Sequence, residues 1–198
     1  MPSIVGILLA AGEGSRFGGD KLLAPMPADS GAESPGVPLG AVAGSRLVDA
    51  LPDAIAVVRP RDARLSACLS AVGLRVVRCA NADEGMGASL ACGVTAARDA
   101  DGWVIALADM PWIASATIRA IAAALARGAD IAAPSYRGER GHPVGFARRH
   151  YGTLAALTGD TGARSLIERS LSRITWIDVD DAGVLRDVDT RSQLGASG

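Results

Sequence analysis

The chain alternates short apolar runs of strand length with longer stretches whose apolar residues recur at helical spacing. Residues 4 to 10 are apolar without a break, the pattern of a strand buried on both faces of a parallel sheet. Ala54 to Val58, Trp103 to Ala108 and Ile131 to Ala133 repeat that pattern, and Leu74 to Cys79 supplies a further strand interrupted by Arg75 and Arg78. Between them lie predicted helices: about Leu39 to Leu51, stopped by Pro52; Ala63 to Val72, with Asp62 as N-cap and Gly73 beyond its end; Gly87 to Arg98; and Ser115, read as a cap, to Arg127 before Gly128. Such alternation, without an internal repeat, implies right-handed crossovers and a mostly parallel sheet covered by helices. After Pro134 the rhythm changes. Tyr136 to Gly141 reads as a hairpin tip leading into Pro143 to Phe146, residues 148 to 171 return to helix with a break at 158–160, and Ile174 to Val179 with a short segment at Val184 to Val188 complete the sheet. The expected fold is an α/β, Rossmann-like three-layer α/β/α domain spanning residues 1–198, with a small antiparallel excursion. The loop from 25 to 38, rich in Pro and Gly, carries no motif over 28–36, and the tail beyond Leu194 is expected to fray.

The first run ends in Gly12, Gly14, Gly18 and Gly19, interleaved with Arg16 and followed by Lys21. Glycines let backbone N–H groups approach an anion closely, and the two cations add charge, so the stretch suits phosphate. It is neither of two common phosphate loops. A G-x-G-x-x-G fingerprint fails because the third position falls on Phe17, and a Walker A loop fails because Asp20 follows Gly19. Ligands of open α/β sheets bind outside the carboxyl ends of the strands. At the end of the fourth run stands Asp109, which either holds a divalent cation beside those phosphates or caps the following turn. Asp187 and Asp189, two apart in an extended segment, are a second carboxylate pair, whereas Asp178, Asp180 and Asp181 read as a solvated cluster. Asp83 to Leu90 reads as a loop and helix N-terminus able to meet an anion.

Composition narrows the partners. In 198 residues, 49% hydrophobic and with a net charge of −1, one core is affordable and no general polyanion field exists, so nucleic acid is not expected. Cys68, Cys79 and Cys92 form no C-x-x-C pair and suit reduced thiols in a core. No span approaches the roughly 20 apolar residues that cross a bilayer, and no basic leader opens the chain, so a cytoplasmic protein without membrane contact is expected.

Leu9-Ala10-Ala11-Gly12-Glu13-Gly14-Ser15-Arg16-Phe17-Gly18, with Lys21 in place, resembles the opening signature of the molybdopterin nucleotidyltransferases, within the wider NTP transferase superfamily: L-A-A/G-G-x-x-x-R-(M/F)-G and a nearby lysine. Five further elements match in the family's order. Asp109-Met110-Pro111 resembles its metal-binding element; Gly85-Met86-Gly87-Ala88-Ser89-Leu90 its nucleotide-contacting helix start; Gly141-His142-Pro143-Val144-Gly145-Phe146 and Gly159-Asp160-Thr161-Gly162-Ala163-Arg164 its acceptor-side elements. Asp187-Val188-Asp189-Thr190 resembles D/N-x-D/N-T, except that Arg191 replaces the usual proline.

The resemblance implies a Mg²⁺-dependent transfer of CMP from CTP to the terminal phosphate of molybdopterin, with release of pyrophosphate. In that reading Arg16, Lys21 and Asp109 are catalytic. Leu9, Ala10, Ala11, Gly12, Gly14, Ser15, Gly18, Gly87 and Ser89 bind nucleotide; His142, Pro143 and Arg164 bind acceptor; Asp109 and Asp189 hold the metal. Ala11 carries the choice of CTP, since guanylyl relatives read L-A-G-G. A guanylyltransferase, a transferase acting on sugar or polyol phosphates, and a carrier delivering the cofactor to a molybdenum-dependent dehydrogenase are the competing implications.

Overall fold

The computed structural model describes residues 2–12, 14, 17–27 and 35–194. The expectations attached to Ser15 and Arg16, residues 28–34 of the 25–38 loop, and the fraying tail lie outside these residues. Strand β1 (Ile4–Leu9) is central and pairs in parallel with β2 (Ala54–Val58) on one side and β4 (Gly102–Leu107) on the other, with Ile7 opposite Ile55 and Ile105. Strand β3 (Arg75–Arg78) extends the sheet beyond β2. Past β4 come β7 (Val144–Ala147), antiparallel, and then β5 (Ile131–Tyr136), with β8 (Ile174–Asp178) parallel to β5 on its far edge.

Side chains alternate along each strand, and both faces are covered. Leu8, Ala56 and Val104 face helices α1 (Leu39–Ala50), α2 (Ala63–Ala71) and α4 (Ser115–Ala126). Ile7, Ile55 and Ile105 face α3 (Met86–Ala96), α5 (Tyr151–Ala155) and α6 (Arg164–Arg169). Two-sided burial is the reason the central strands β1, β2 and β4 are unbroken apolar runs, whereas β3 and β8 at the sheet edges carry exposed Arg75, Arg78 and Asp178. The mostly parallel three-layer sheet read from the sequence is the observed one.

The antiparallel excursion is a hairpin with a built-in irregularity. Arg137 and Gly138, at φ 51° and 83°, turn β5 into β6 (Glu139–Arg140), which pairs Ser135 with Arg140. Further along, Ala132 pairs with Gly145. Between these pairings β5 spends residues 133 and 134 while the returning strand spends 141 to 144, so two extra residues bulge out at the carboxyl end of β4. Bulges of this kind re-aim side chains beside sites.

Three local expectations are corrected. Val184 to Val188 is not a strand: Ala182–Leu185 is a short 3-10 helix, and the Val184 carbonyl accepts the His142 N–H at 2.9 Å instead of joining a ladder. Ser115 does not cap α4; Ala114 holds that position and the Ser115 hydroxyl donates to the Arg46 carbonyl at 3.0 Å. Asp181 is not part of a solvated cluster. Its carboxylate accepts from the Ala114 N–H (2.9 Å), the Thr117 hydroxyl (2.6 Å) and the Gly183 N–H (3.0 Å), capping α4 from 67 residues away. Asp62 does precede α2, but without a side-chain cap bond. At the other end of that helix Gly73, at φ 97°, closes a Schellman turn in which the Leu74 N–H reaches the Leu69 carbonyl. All three cysteines are free thiols, Cys79 fully buried. Among the described residues no helix is long and apolar enough to cross a membrane.

Candidate functional site

The site lies where the carboxyl ends of β1 and β4 meet the C-terminal segment. Ala10 leaves β1 with its N–H on the Val57 carbonyl (2.9 Å), and Ala10 and Ala11 are both buried. The chain then turns through glycines. The Phe17 N–H closes on the Gly14 carbonyl at 2.9 Å, and Gly14, Gly18 and Gly19 take φ of 56°, 79° and 142°, values that side chains disfavour. Among the described residues outside its chain neighbours, nothing lies within 4 Å of where a Gly12 Cβ would stand.

The short helix Lys21–Leu23 then points one cation inward. The Lys21 ammonium donates to Asp109 Oδ2 at 2.8 Å and to the Val188 carbonyl at 2.7 Å, and lies 4.0 Å from Asp189 Oδ1. Its side chain is 11% exposed, against 26% for Asp109 and 40% for Asp189, so the cluster opens toward solvent on its carboxylate side. The Val188 N–H donates to the Asp109 carbonyl at 3.0 Å, which locks the C-terminal segment to the end of β4. Of the paired carboxylates only Asp189 reaches Lys21; Asp187 is exposed.

A cleft of about 340 Å³ opens beside this cluster, lined by Ala11, Gly12, Lys21, Asp83, Ser89 and Asp109. Arg59, which the sequence reading passes over, also lines it. Only 8% exposed, Arg59 stands at the end of β2 with its Nε 3.2 Å from Asp83, which Arg61 grips at 2.8 and 3.0 Å. Its position after an apolar run is the same signal that singles out Asp109. Of the two helix residues assigned to nucleotide, Ser89 lines the cleft and donates to the Gly85 carbonyl at 3.3 Å. Gly87 does something else. Its N–H is taken by the Gly159 carbonyl at 2.7 Å, and a Cβ there would stand 2.7 Å from the Thr158 oxygen. It is a contact point between α3 and the 158–160 loop.

The bulge delivers His142 to a second cavity, of about 430 Å³, floored by Leu9, Leu90, Ile105, Val144, Phe146 and Ile167. Arg140, His142 and Arg164 supply its cationic and imidazole groups. Burial pushes the His142 imidazole down to about 4, the Arg140 charge pushes the same way, and Asp109 opposes both. The ring is therefore neutral at neutral pH. Its Nδ1 is sealed from solvent without a hydrogen-bond partner among the described residues. Pro143 is buried behind it. Arg164 is at the rim, its side chain 81% exposed and paired with Glu168 at 2.9 Å.

A glycine loop after the first strand of a parallel sheet, with a lysine and an aspartate converging beside two adjoining clefts, defines an α/β protein of the nucleotidyltransferase class. Residues 6–174 match the MobA-like NTP transferase domain, and the chain belongs to that family. It is 30% identical over 205 residues to the purine catabolism protein PucB of Bacillus subtilis (strain 168), covering 96% of this chain and 93% of PucB. Nicotine blue oxidoreductase of Paenarthrobacter nicotinovorans is 27% identical, over 98% of this chain and 96% of the relative. Among solved structures, Rv0371c from Mycobacterium tuberculosis H37Rv is similar with a TM-score of 0.78 at 31% identity, covering 97% of this chain and 95% of the other.

Proposed function

We propose that this nucleotidyltransferase moves CMP from CTP to the terminal phosphate of a molybdopterin-type acceptor, releasing pyrophosphate. The observation that carries the reading is the adjacency of two clefts that share Leu9, Met86, Leu107 and Asp160 as wall residues, with Asp109 lining the first. The first mixes polar and apolar wall about equally and opens on the glycine loop; the second is more apolar, floored by aliphatic and aromatic side chains, with Arg140, His142, Arg164 and the Asp160 carboxylate also lining it. An apolar floor suits a flat fused ring better than a polyol, whose hydroxyls would face carbon, so it weighs against the sugar-phosphate alternative. Ala11 at the wall of the first cleft supports CTP over GTP only through the family pattern.

The donor set fits a hard divalent cation. Two carboxylates converge on one point, now faced by the Lys21 ammonium, and oxygen ligands are what Mg²⁺ takes. Among the described residues no group of three or more His, Cys, Asp or Glu gathers for a metal, so the remaining ligands would be phosphate oxygens and water. Mg²⁺ held there would neutralise charge on the α-phosphate. Rv0371c has been solved in complex with manganese. The chain's own part is to place groups: Lys21 turns from Asp109 to the phosphates, the backbone from Gly12 to Gly19 accommodates the pyrophosphate end, and His142 orients the acceptor by a hydrogen bond rather than by charge. A phosphate monoester, with its second pKa near ~6, is already largely dianionic at neutral pH, so no general base is required.

The test is pyrophosphate release with Mg²⁺, each NTP in turn and molybdopterin. The expected outcome is turnover with CTP, reduced about 100-fold or more in Lys21→Ala and Asp109→Asn with unchanged circular dichroism. Near-normal rates in either variant, or release with a sugar phosphate alone, would overturn the assignment. Because one relative is named as an oxidoreductase, the protein is also assayed with a reduced nicotinamide donor; redox turnover without pyrophosphate release counts against transfer.

A further inference from the structure

The C-terminal segment supplies Asp189, but the residues just beyond it form a device of their own. Thr190-Arg191-Ser192-Gln193 opens the short helix α7 (Arg191–Leu194) with the residue pattern of a capping box, of which the Gln193-to-Thr190 N–H half is formed. Gln193 Oε1 accepts from the Thr190 N–H at 2.7 Å, from its hydroxyl at 3.1 Å and, one residue further back, from the Asp189 N–H at 2.8 Å. One amide oxygen thus fixes the backbone on which the Asp189 carboxylate stands. Buried Leu194 below and fully buried Val188 above anchor the turn at both ends.

Arg191 ties the same turn to the glycine loop. Its guanidinium lies 4.9 Å from the centroid of the Phe17 ring. Phe17 is 3% exposed, a large apolar anchor directly before Gly18 and Gly19, whose φ values are positive. Among the described residues, three ties therefore join residues 188–191 to the segment from Phe17 to Lys21: Val188 to Lys21, Asp189 to Lys21, and Arg191 to Phe17. Neither Arg191 nor Gln193 contacts Lys21 or Asp109 among the described residues.

We propose that the 189–193 turn is a positioning device for the glycine loop, in which Gln193 and Arg191 are positioning residues that hold Asp189 and Phe17 in place. A glycine-rich loop loses much conformational freedom when it closes on a ligand, and a tie that immobilises it beforehand lowers that cost. Proline at position 191 would stiffen the turn but supply no cation for Phe17. The consequence for catalysis rests on the nucleotide reading of the loop; the consequence for the loop itself does not.

The experiment therefore has two arms, applied to Gln193→Leu, Gln193→Glu, Arg191→Ala and Arg191→Lys in the full chain. In hydrogen exchange, amides within residues 17–24 are expected to exchange about fivefold faster in Gln193→Leu and Arg191→Ala, the effect of losing one cap-sized interaction. Gln193→Glu accepts the same donors and is expected to restore the wild-type rate; Arg191→Lys, keeping the charge, is expected to restore it in part. In CTP titration and steady-state assay, the two disrupting variants should raise KM for nucleotide about three- to tenfold, with kcat within about twofold. Arg191 is exposed, so its variants probe the tie without disturbing the core. Unchanged loop exchange in both disrupting variants, or Gln193→Glu as impaired as Gln193→Leu, overturns the proposal. If wild type binds no nucleotide, the functional reading fails and the exchange arm still decides the positioning role.

Discussion

Acidification should destabilise this protein through His142, by an amount that can be worked out. The folded-state imidazole titrates at about 4, because burial and Arg140 both disfavour its charge and Asp109 only partly offsets them. In the unfolded chain the value is near ~6.5. The unfolded state thus binds a proton as pH falls through about 6.5, while the folded state takes none until about 4. Stability from the neutral imidazole is present in full above the upper value and is lost as pH falls toward the lower one. The slope is about 1.4 kcal/mol per pH unit, and by about pH 4.5 the loss is roughly 2.5 kcal/mol. Urea unfolding of wild type and of His142→Gln, which cannot titrate, measures it from about pH 8 to 4.5. Carboxylates titrate in both proteins, so the difference between the two curves isolates the histidine. The stability gap should move by about 2 to 3 kcal/mol in favour of the variant over that range, about 5–10 °C in Tm for a chain of this size. Parallel curves, or a steeper loss in the variant, would refute the view that a buried neutral imidazole sits in this cavity.

Two further substitutions test how distant segments build the site. Gly87→Ala places a Cβ 2.7 and 2.8 Å from the Thr158 and Gly159 carbonyl oxygens, which are backbone and must shift. Thermal unfolding should show a loss of about 1–3 kcal/mol, and, on the proposed function, KM for acceptor should rise more than KM for nucleotide, because residues 160–164 line the cavity proposed for the acceptor. Asp181→Ala leaves the Thr117 hydroxyl and the Ala114 and Gly183 N–H groups without their acceptor. Urea unfolding should register a loss of about 1–3 kcal/mol, and a neutral result would mean that water replaces the carboxylate there.

What the sequence discloses follows from how locally each feature is encoded. The central strands are legible because two-sided burial writes itself as continuous apolar runs, and Asp109 because a charge after such a run marks a strand's carboxyl end. Arg59 obeys the same rule after Ala54 to Val58, but no motif surrounds it and its partner Asp83 is 24 residues further on. The features misread are those whose partners are remote in the chain. Asp181 looks solvated among acidic neighbours until α4 is brought against it, Gly87 looks like an anion site until the 158–160 loop takes its N–H, and Val184 looks like strand until the His142 bulge needs its carbonyl. In each case a local pattern names a group with hydrogen-bonding capacity, and topology decides what consumes it. Lys21 shows both halves at once. Its charge beside the glycines is readable, while the Val188 carbonyl that holds it 167 residues later is set by how the C-terminal segment crosses the end of β4. The lysine's position therefore depends on a turn that carries no charge pattern of its own, and this is why the residues beyond Asp189 belong to the working parts of the site.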